Sequence, residues 1–119
     1  MNDSNFKILS KVKFLMKYIN EYVFSGFPKS YLALKINLEK CMYNLIEETL
    51  RSRLNLGNIR VKHIKEVLIN LSLIDYYIGE IYDKKIITFK RYSTCININN
   101  EVYKMVYGWM LNEEVKKSV

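Results

Sequence analysis

The chain has 119 residues, half of them apolar, and 19 basic against 12 acidic side chains give it a net charge of +7. That length makes one domain, four glycines and one proline are too few for a sheet protein full of turns, and two cysteines outside any CxxC unit exclude a disulfide framework. The first residues scatter charges through their apolar positions, unlike a secretory leader. No apolar run approaches the ~20 residues needed to span a bilayer, so no membrane partner and a cytoplasmic location with reduced thiols are expected.

The first helix is expected from about Asn5 to Phe24. Ile8, Val12, Leu15, Ile19 and Val23 recur at helical spacing, joined by Leu9, Met16 and Tyr22, while Lys13, Lys17 and Glu21 lie opposite. Asp3 or Ser4 fits its N-cap. The break Ser25-Gly26-Phe27-Pro28 follows, with Gly26 suited to a left-handed cap and Pro28 to the first turn of the next helix. Helix two then runs from about Pro28 to Leu54, with Tyr31, Leu34, Leu38, Cys41 and Leu45 on one face and Met42, Ile46 and Leu50 one step round. Gly57 is the expected stop and Asn58 the expected cap of helix three, from about Ile59 to Lys84. The β-branched run Ile86-Ile87 and a capping Thr88 mark a weaker break before helix four, from about Phe89 to Glu114. Four such segments with short connections give an all-α, up-down-up-down antiparallel four-helix bundle over residues 1–119. Each helix would be about 30 to 40 Å long at 1.5 Å per residue.

Helices three and four carry more apolar surface than a lone bundle needs. In helix three Ile64, Val67, Leu71, Ile74, Ile78 and Ile81 form one stripe, and Ile69, Leu73 and Tyr76 sit nearly opposite. In helix four one stripe is Phe89, Tyr92, Ile96, Asn99, Tyr103, Val106 and Met110, and a second is Ile98, Val102, Met105 and Trp109. A bundle helix buries one stripe. The second set, Ile69, Leu73, Tyr76, Ile98, Val102, Met105 and Trp109, is therefore expected to face another copy of the chain. Asn99 interrupts the first stripe of helix four, either pinning helix register or, as the burial habits of asparagine favour, satisfied near the bundle edge. Asp75, flanking the stripe of helix three, is expected to pair with a neighbouring cation or hydroxyl.

No set of catalytic roles can be filled, so the chain is not expected to be an enzyme. His63 is the sole histidine, with no ligands at metal spacing around it and no Glu-x-x-His pair as in di-iron bundles. Arg60 is too close to His63, and Arg53 too far, for the arginine–histidine spacing of helical ribonucleases. Glu47 and Glu48 are adjacent and so diverge along a helix. No cofactor-binding motif is present.

The cations suggest an anionic partner. Arg51, Arg53, Arg60, Lys62 and Lys65 cluster around the second break, and the antiparallel layout brings Lys7, Lys11, Lys116 and Lys117 to the same end. The opposite end gathers Lys29, Lys84, Lys85, Lys90 and Arg91. Phosphate backbones attract such clusters through counterion release. Tyrosines and Phe89 interleave with them and offer faces for base stacking, although most fall on faces that look buried.

Several stretches in order resemble one family. Phe24-Ser25-Gly26-Phe27-Pro28-Lys29-Ser30-Tyr31 is similar to a signature in which Phe-Pro-Lys opens helix two. Ile69 to Tyr77 is similar to the family's helix three, and Arg91-Tyr92 and Gly108-Trp109 to positions in helix four. The chain resembles the small four-helix-bundle family that includes the accessory variability determinant of diversity-generating retroelements and proteins encoded in ribosomal RNA intervening sequences. The resemblance implies a basic homopentamer that partners a reverse transcriptase and its template RNA or DNA, without catalysis of its own. For the intervening-sequence branch it implies a structural oligomer of unsettled role.

Overall fold

The computed structural model describes residues 3–118, with side chains described from Lys7 to Lys116. Four helices account for nearly all of it: α1 (Asp3–Tyr18, prolonged by a π turn over Ile19–Val23), α2 (Leu32–Leu54, preceded by a 3₁₀ turn over Lys29–Tyr31), α3 (Gly57–Asp83) and α4 (Phe89–Ser118). They run antiparallel in an all-α bundle of 51 × 23 × 21 Å, each helix packing on its two neighbours in the cycle α1, α2, α3, α4. Among the described residues no helix is long and apolar enough to cross a membrane. The caps expected at Asp3 or Ser4, and the cation at Lys117, lie outside the described side chains.

The core follows the helical periodicity. From α1 and its π turn come Ile8, Val12, Leu15, Ile19 and Val23; from α2 Leu34, Leu38, Cys41, Met42 and Leu45; from α3 Ile64, Val67, Leu71, Ile74, Ile78 and Ile81. The π turn closes with the Phe24 N–H donating to the Ile19 carbonyl at 2.9 Å, and its wider winding brings Phe24 round to the core side. Gly26 then takes a positive φ of 64°, as a chain reversal there requires.

The breaks differ in detail from the sequence expectation. Pro28 is extended (φ −65°, ψ 135°) and stands before a 3₁₀ turn, so the α-helical part of α2 starts only at Leu32. Gly57, with φ 61°, is the first residue of α3 rather than the stop of α2, and Asn58 lies inside the helix. Between α3 and α4 the Ile86 N–H reaches the Ile81 carbonyl at 3.1 Å and the Lys85 N–H reaches Tyr82 at 2.8 Å. These two bonds form a Schellman cap with Lys85 in the left-handed position usually held by glycine, at φ 62°. Thr88 then caps α4, its Oγ1 accepting the Arg91 N–H at 3.2 Å.

The core face of α4 corrects the two-stripe expectation. Cys95, Ile98, Val102, Val106 and Trp109 are all buried inside the single chain, with Asn99 and Glu113 among them. The two stripes lie only about 120° apart at 100° per residue, and the core takes most of the second stripe and the near edge of the first. Ile98, Val102 and Trp109 therefore leave water without a second copy, and Met105 is half-buried against the same core. Asn99 sits at 2% exposure in the core and not at the bundle edge. Its Nδ2 donates to the Leu71 carbonyl of α3 at 3.0 Å, whereas its Oδ1 is buried without a partner. Asp75, by contrast, is exposed.

Candidate nucleic-acid and assembly surfaces

Exposed apolar side chains survive folding on every helix, and on α3 three of them form a row. Ile69, Leu73 and Tyr76 remain 52%, 39% and 60% exposed, one helical turn apart. Beside them Leu68, Ile69, Ser72 and Leu73 of α3 meet Tyr103 of α4 around a shallow depression of about 310 Å³. Tyr103 stacks on Tyr107 at 6.4 Å with their rings 10° apart, and Tyr107 is exposed. The uncovered strip thus runs along the seam of α3 and α4. Of the seven residues expected to face another copy, Ile69, Leu73 and Tyr76 lie on it and the other four do not.

At the α2–α3 end the cations are brought together as expected, but several have internal work. Arg60 is a clamp. Its Nε and Nη2 donate to the carbonyls of Ser52 and Arg53, at 2.8 and 3.1 Å, which are among the last carbonyls of α2. Its Nη1 meets Glu113 of α4 at 3.2 Å, with the two side chains only 12% and 8% exposed, and the guanidinium lies 5.5 Å over the Trp109 ring. A helix needs partners for its final carbonyls, and Arg60 supplies them while tying three helices. Arg60, expected on a nucleic-acid surface, is thus engaged within the fold. Arg51 pairs with Glu47 at 2.7 Å and lies 3.8 Å from Glu48, Lys65 pairs with Glu114 at 3.9 Å, and Lys62 is exposed. Lys11 pairs with Glu101 at 3.0 Å. His63 Nδ1 lies 2.6 Å from Glu48 Oε2, linking α3 to α2. Glu47 and Glu48 share Arg51 as a neighbour, and Glu48 also reaches His63. No group of three or more metal-ligating side chains occurs among the described residues. A groove of about 810 Å³ opens at the same end between α1, α2 and α4.

At the opposite end Lys85 and Lys90 are exposed, and Lys84 lies 5.7 Å over the Tyr31 ring. Arg91 is more engaged: Nη1 donates to the Tyr22 carbonyl at 3.2 Å and its guanidinium covers the Tyr22 ring at 5.6 Å. Next to these cations Tyr82 and Tyr92 stack at 4.5 Å, and Phe89 packs its edge on Tyr82 at 5.9 Å while remaining largely exposed. An open aromatic face thus stands among lysines at the α3–α4 turn. The sequence placed Phe89 on a stripe with buried residues; its position in the first turn of α4 leaves nothing to cover it.

A sequence profile of the bAvd-like family matches residues 6–113. No curated protein and no solved structure matches the chain.

Proposed function

The chain belongs to the bAvd-like family, and from that premise we propose that this accessory-type protein is a non-catalytic homo-oligomer of a diversity-generating retroelement, pentameric as the family resemblance implies. In this reading it binds a reverse transcriptase and template RNA or DNA in the cytoplasm and supports mutagenic copying. The observation that carries the reading is the uncovered strip Ile69, Leu73 and Tyr76, set between two cationic ends of one bundle. Scattered apolar side chains are normal on a surface, but a row one turn apart beside an apolar depression fits a partner's side chains. In an assembled ring the strip would be covered by a neighbouring copy, and the cationic ends would repeat around the rim, raising the local potential felt by a polyanion.

Lys62, Lys84, Lys85 and Lys90 are the cations best placed for phosphate, with Arg51, Arg53, Lys65 and Arg91 adding to the same field. Phe89 supplies a face on which an unpaired base can stack. Met105, Ile98, Val102 and Trp109 support the assembly only through the fold.

Light scattering on the purified chain should report an oligomer, and Leu73→Glu should shift it towards monomer while leaving its helicity unchanged. Affinity for single-stranded RNA should fall steeply with salt. Changing Lys84, Lys85 and Lys90 to Ser should lower the slope of log K against log salt by about 2 per chain, at roughly 0.7 per phosphate contact. Co-purification with the reverse transcriptase tests the partner directly. An oligomer with no RNA affinity and no polymerase partner would favour the intervening-sequence type of structural oligomer. A monomer at micromolar concentration would refute the assembly.

A further inference from the structure

The groove at the α2–α3 end has the make-up of a ligand site. Its apolar lining comes from Ile8, Leu50, Leu54 and Met105, with Leu54 81% exposed although apolar. Its rim carries Lys7, Arg53, Lys104 and Lys116. The carboxylate of Glu113 at its edge is held by Arg60 at 3.2 Å and Lys116 at 3.3 Å, so the groove's field stays positive. A volume of about 810 Å³ falls in the range of small-molecule sites lined by apolar groups with a few polar ones. Gly108 of α4 borders the groove, and a Cβ added there would meet nothing within 4 Å. Glycine inside a helix is less stable than alanine, and here no tight packing calls for it; what its bareness leaves is room in the groove.

We propose that this groove binds a monomeric single-chain amphiphile with an anionic head, an alkyl carboxylate or alkyl phosphate, its chain on the apolar lining and its head at Lys7 and Lys104. Charge complementarity selects the head and the apolar lining selects the tail. A nucleobase fits less well, because the groove's aromatic ring, Trp109, is 9% exposed and already covered by the Arg60 guanidinium, whereas base stacking needs an open face. A second copy of the chain has its uncovered apolar strip to use on the seam of α3 and α4, away from this groove.

Trp109 is the sole tryptophan and borders the groove, so its emission reports occupancy. Titration of the full chain with decyl phosphate, below its micellar concentration, should give a saturable change. Octyl phosphate should bind about fifteenfold more weakly, at roughly fourfold per methylene. Gly108→Leu should abolish the response while raising the melting temperature. Lys104→Glu, a change at an exposed position, should weaken binding about tenfold and settles the matter should Gly108→Leu lose its helicity. The proposal is overturned by an absence of saturable change, by affinity indifferent to chain length, or by Lys104→Glu binding as the parent does. It is overturned equally if binding occurs to anionic phospholipid vesicles alone, or if an RNA oligonucleotide elicits the same emission change and displaces decyl phosphate. An oligomer that binds RNA yet ignores decyl phosphate would sink this site and leave the assembly reading standing.

Discussion

Replacing Arg60 by alanine tests the division between cations that hold the bundle and cations that face a partner. The substitution removes two bonds to terminal carbonyls of α2, the ion pair with Glu113 and the cover over Trp109. Breaking a buried ion pair by deleting one partner costs roughly 3–5 kcal/mol. Lys116 remains 3.3 Å from Glu113 and partly compensates its charge, which places the expectation at the low end, about 3 kcal/mol. For a chain of this length, with an unfolding entropy near 2.1 cal/mol/K per residue, that corresponds to a fall in Tm of about 12 °C. Urea denaturation followed by circular dichroism measures the first quantity and a thermal scan the second, both at a concentration where the assembly state is unchanged. The double variant with Glu113→Ala should cost clearly less than the sum of the two single changes, since they share one interaction. RNA affinity of the folded Arg60→Ala chain should keep the parent's salt slope. A loss below about 1 kcal/mol, the level of a surface pair, together with a flattened salt slope, would show that Arg60 faces the partner and not the fold.

Lys85 holds a left-handed conformation that costs a side-chain-bearing residue roughly 1–2 kcal/mol, so Lys85→Gly should raise stability by about 1 kcal/mol by urea denaturation, less the entropy glycine adds to the unfolded chain. Burial, helped by the nearby Asp75 carboxylate, pushes the Cys95 thiol up to about 12. The folded chain then keeps a proton that the unfolded chain has lost, so stability is full below pH 9 and should fall by up to about 1.4 kcal/mol per pH unit above it. Urea titrations between pH 8 and 10.5 should show a shallower decline in Cys95→Ala than in the parent, and parallel declines would contradict this. Trp109→Ala should act on the fold and not on assembly, costing about 3–5 kcal/mol as a deleted core aromatic. Equilibrium unfolding combined with light scattering separates the two effects.

Much of the bundle is legible in the sequence because the apolar residues of its helices repeat at three and four residues. The α3 stripe from Ile64 to Ile81 is buried residue for residue, and the exposed set Ile69, Leu73 and Tyr76 lies opposite, where the spacing puts it. Helix four was harder to read for a geometric reason. Its apolar residues cover an arc so wide that two stripes can be drawn on it, and the core takes most of the second and the near edge of the first, with Cys95 and the polar Asn99 and Glu113. The place of Arg60 depends on Glu113, 53 residues away, and on the bare carbonyls of α2. Neither has a local signature, and a cation beside a helix break looks the same whether it faces solvent or folds back. The groove was hidden for a similar reason, since its apolar lining takes one or two residues from each of several helices. The cap at Lys85 defied the usual glycine signal, yet the Ile86-Ile87-Thr88 sequence still marked the turn.

Among the described residues α1 packs more sparsely on its two neighbours than α2 and α3 pack on each other, and Lys7 and Ile8 near its N-terminal end line the groove. Local opening of a folded chain begins where such support is thinnest. By that rule α1 is expected to open first, while Arg60 ties α3 to α2 and α4, and Asn99 ties α4 to α3. A detached α1 would bare core side chains of α2 and α4, and an equivalent α1 from an adjacent molecule could settle there in its stead. The same loosely held segment that makes the bundle easiest to unzip would then serve as the piece that copies trade.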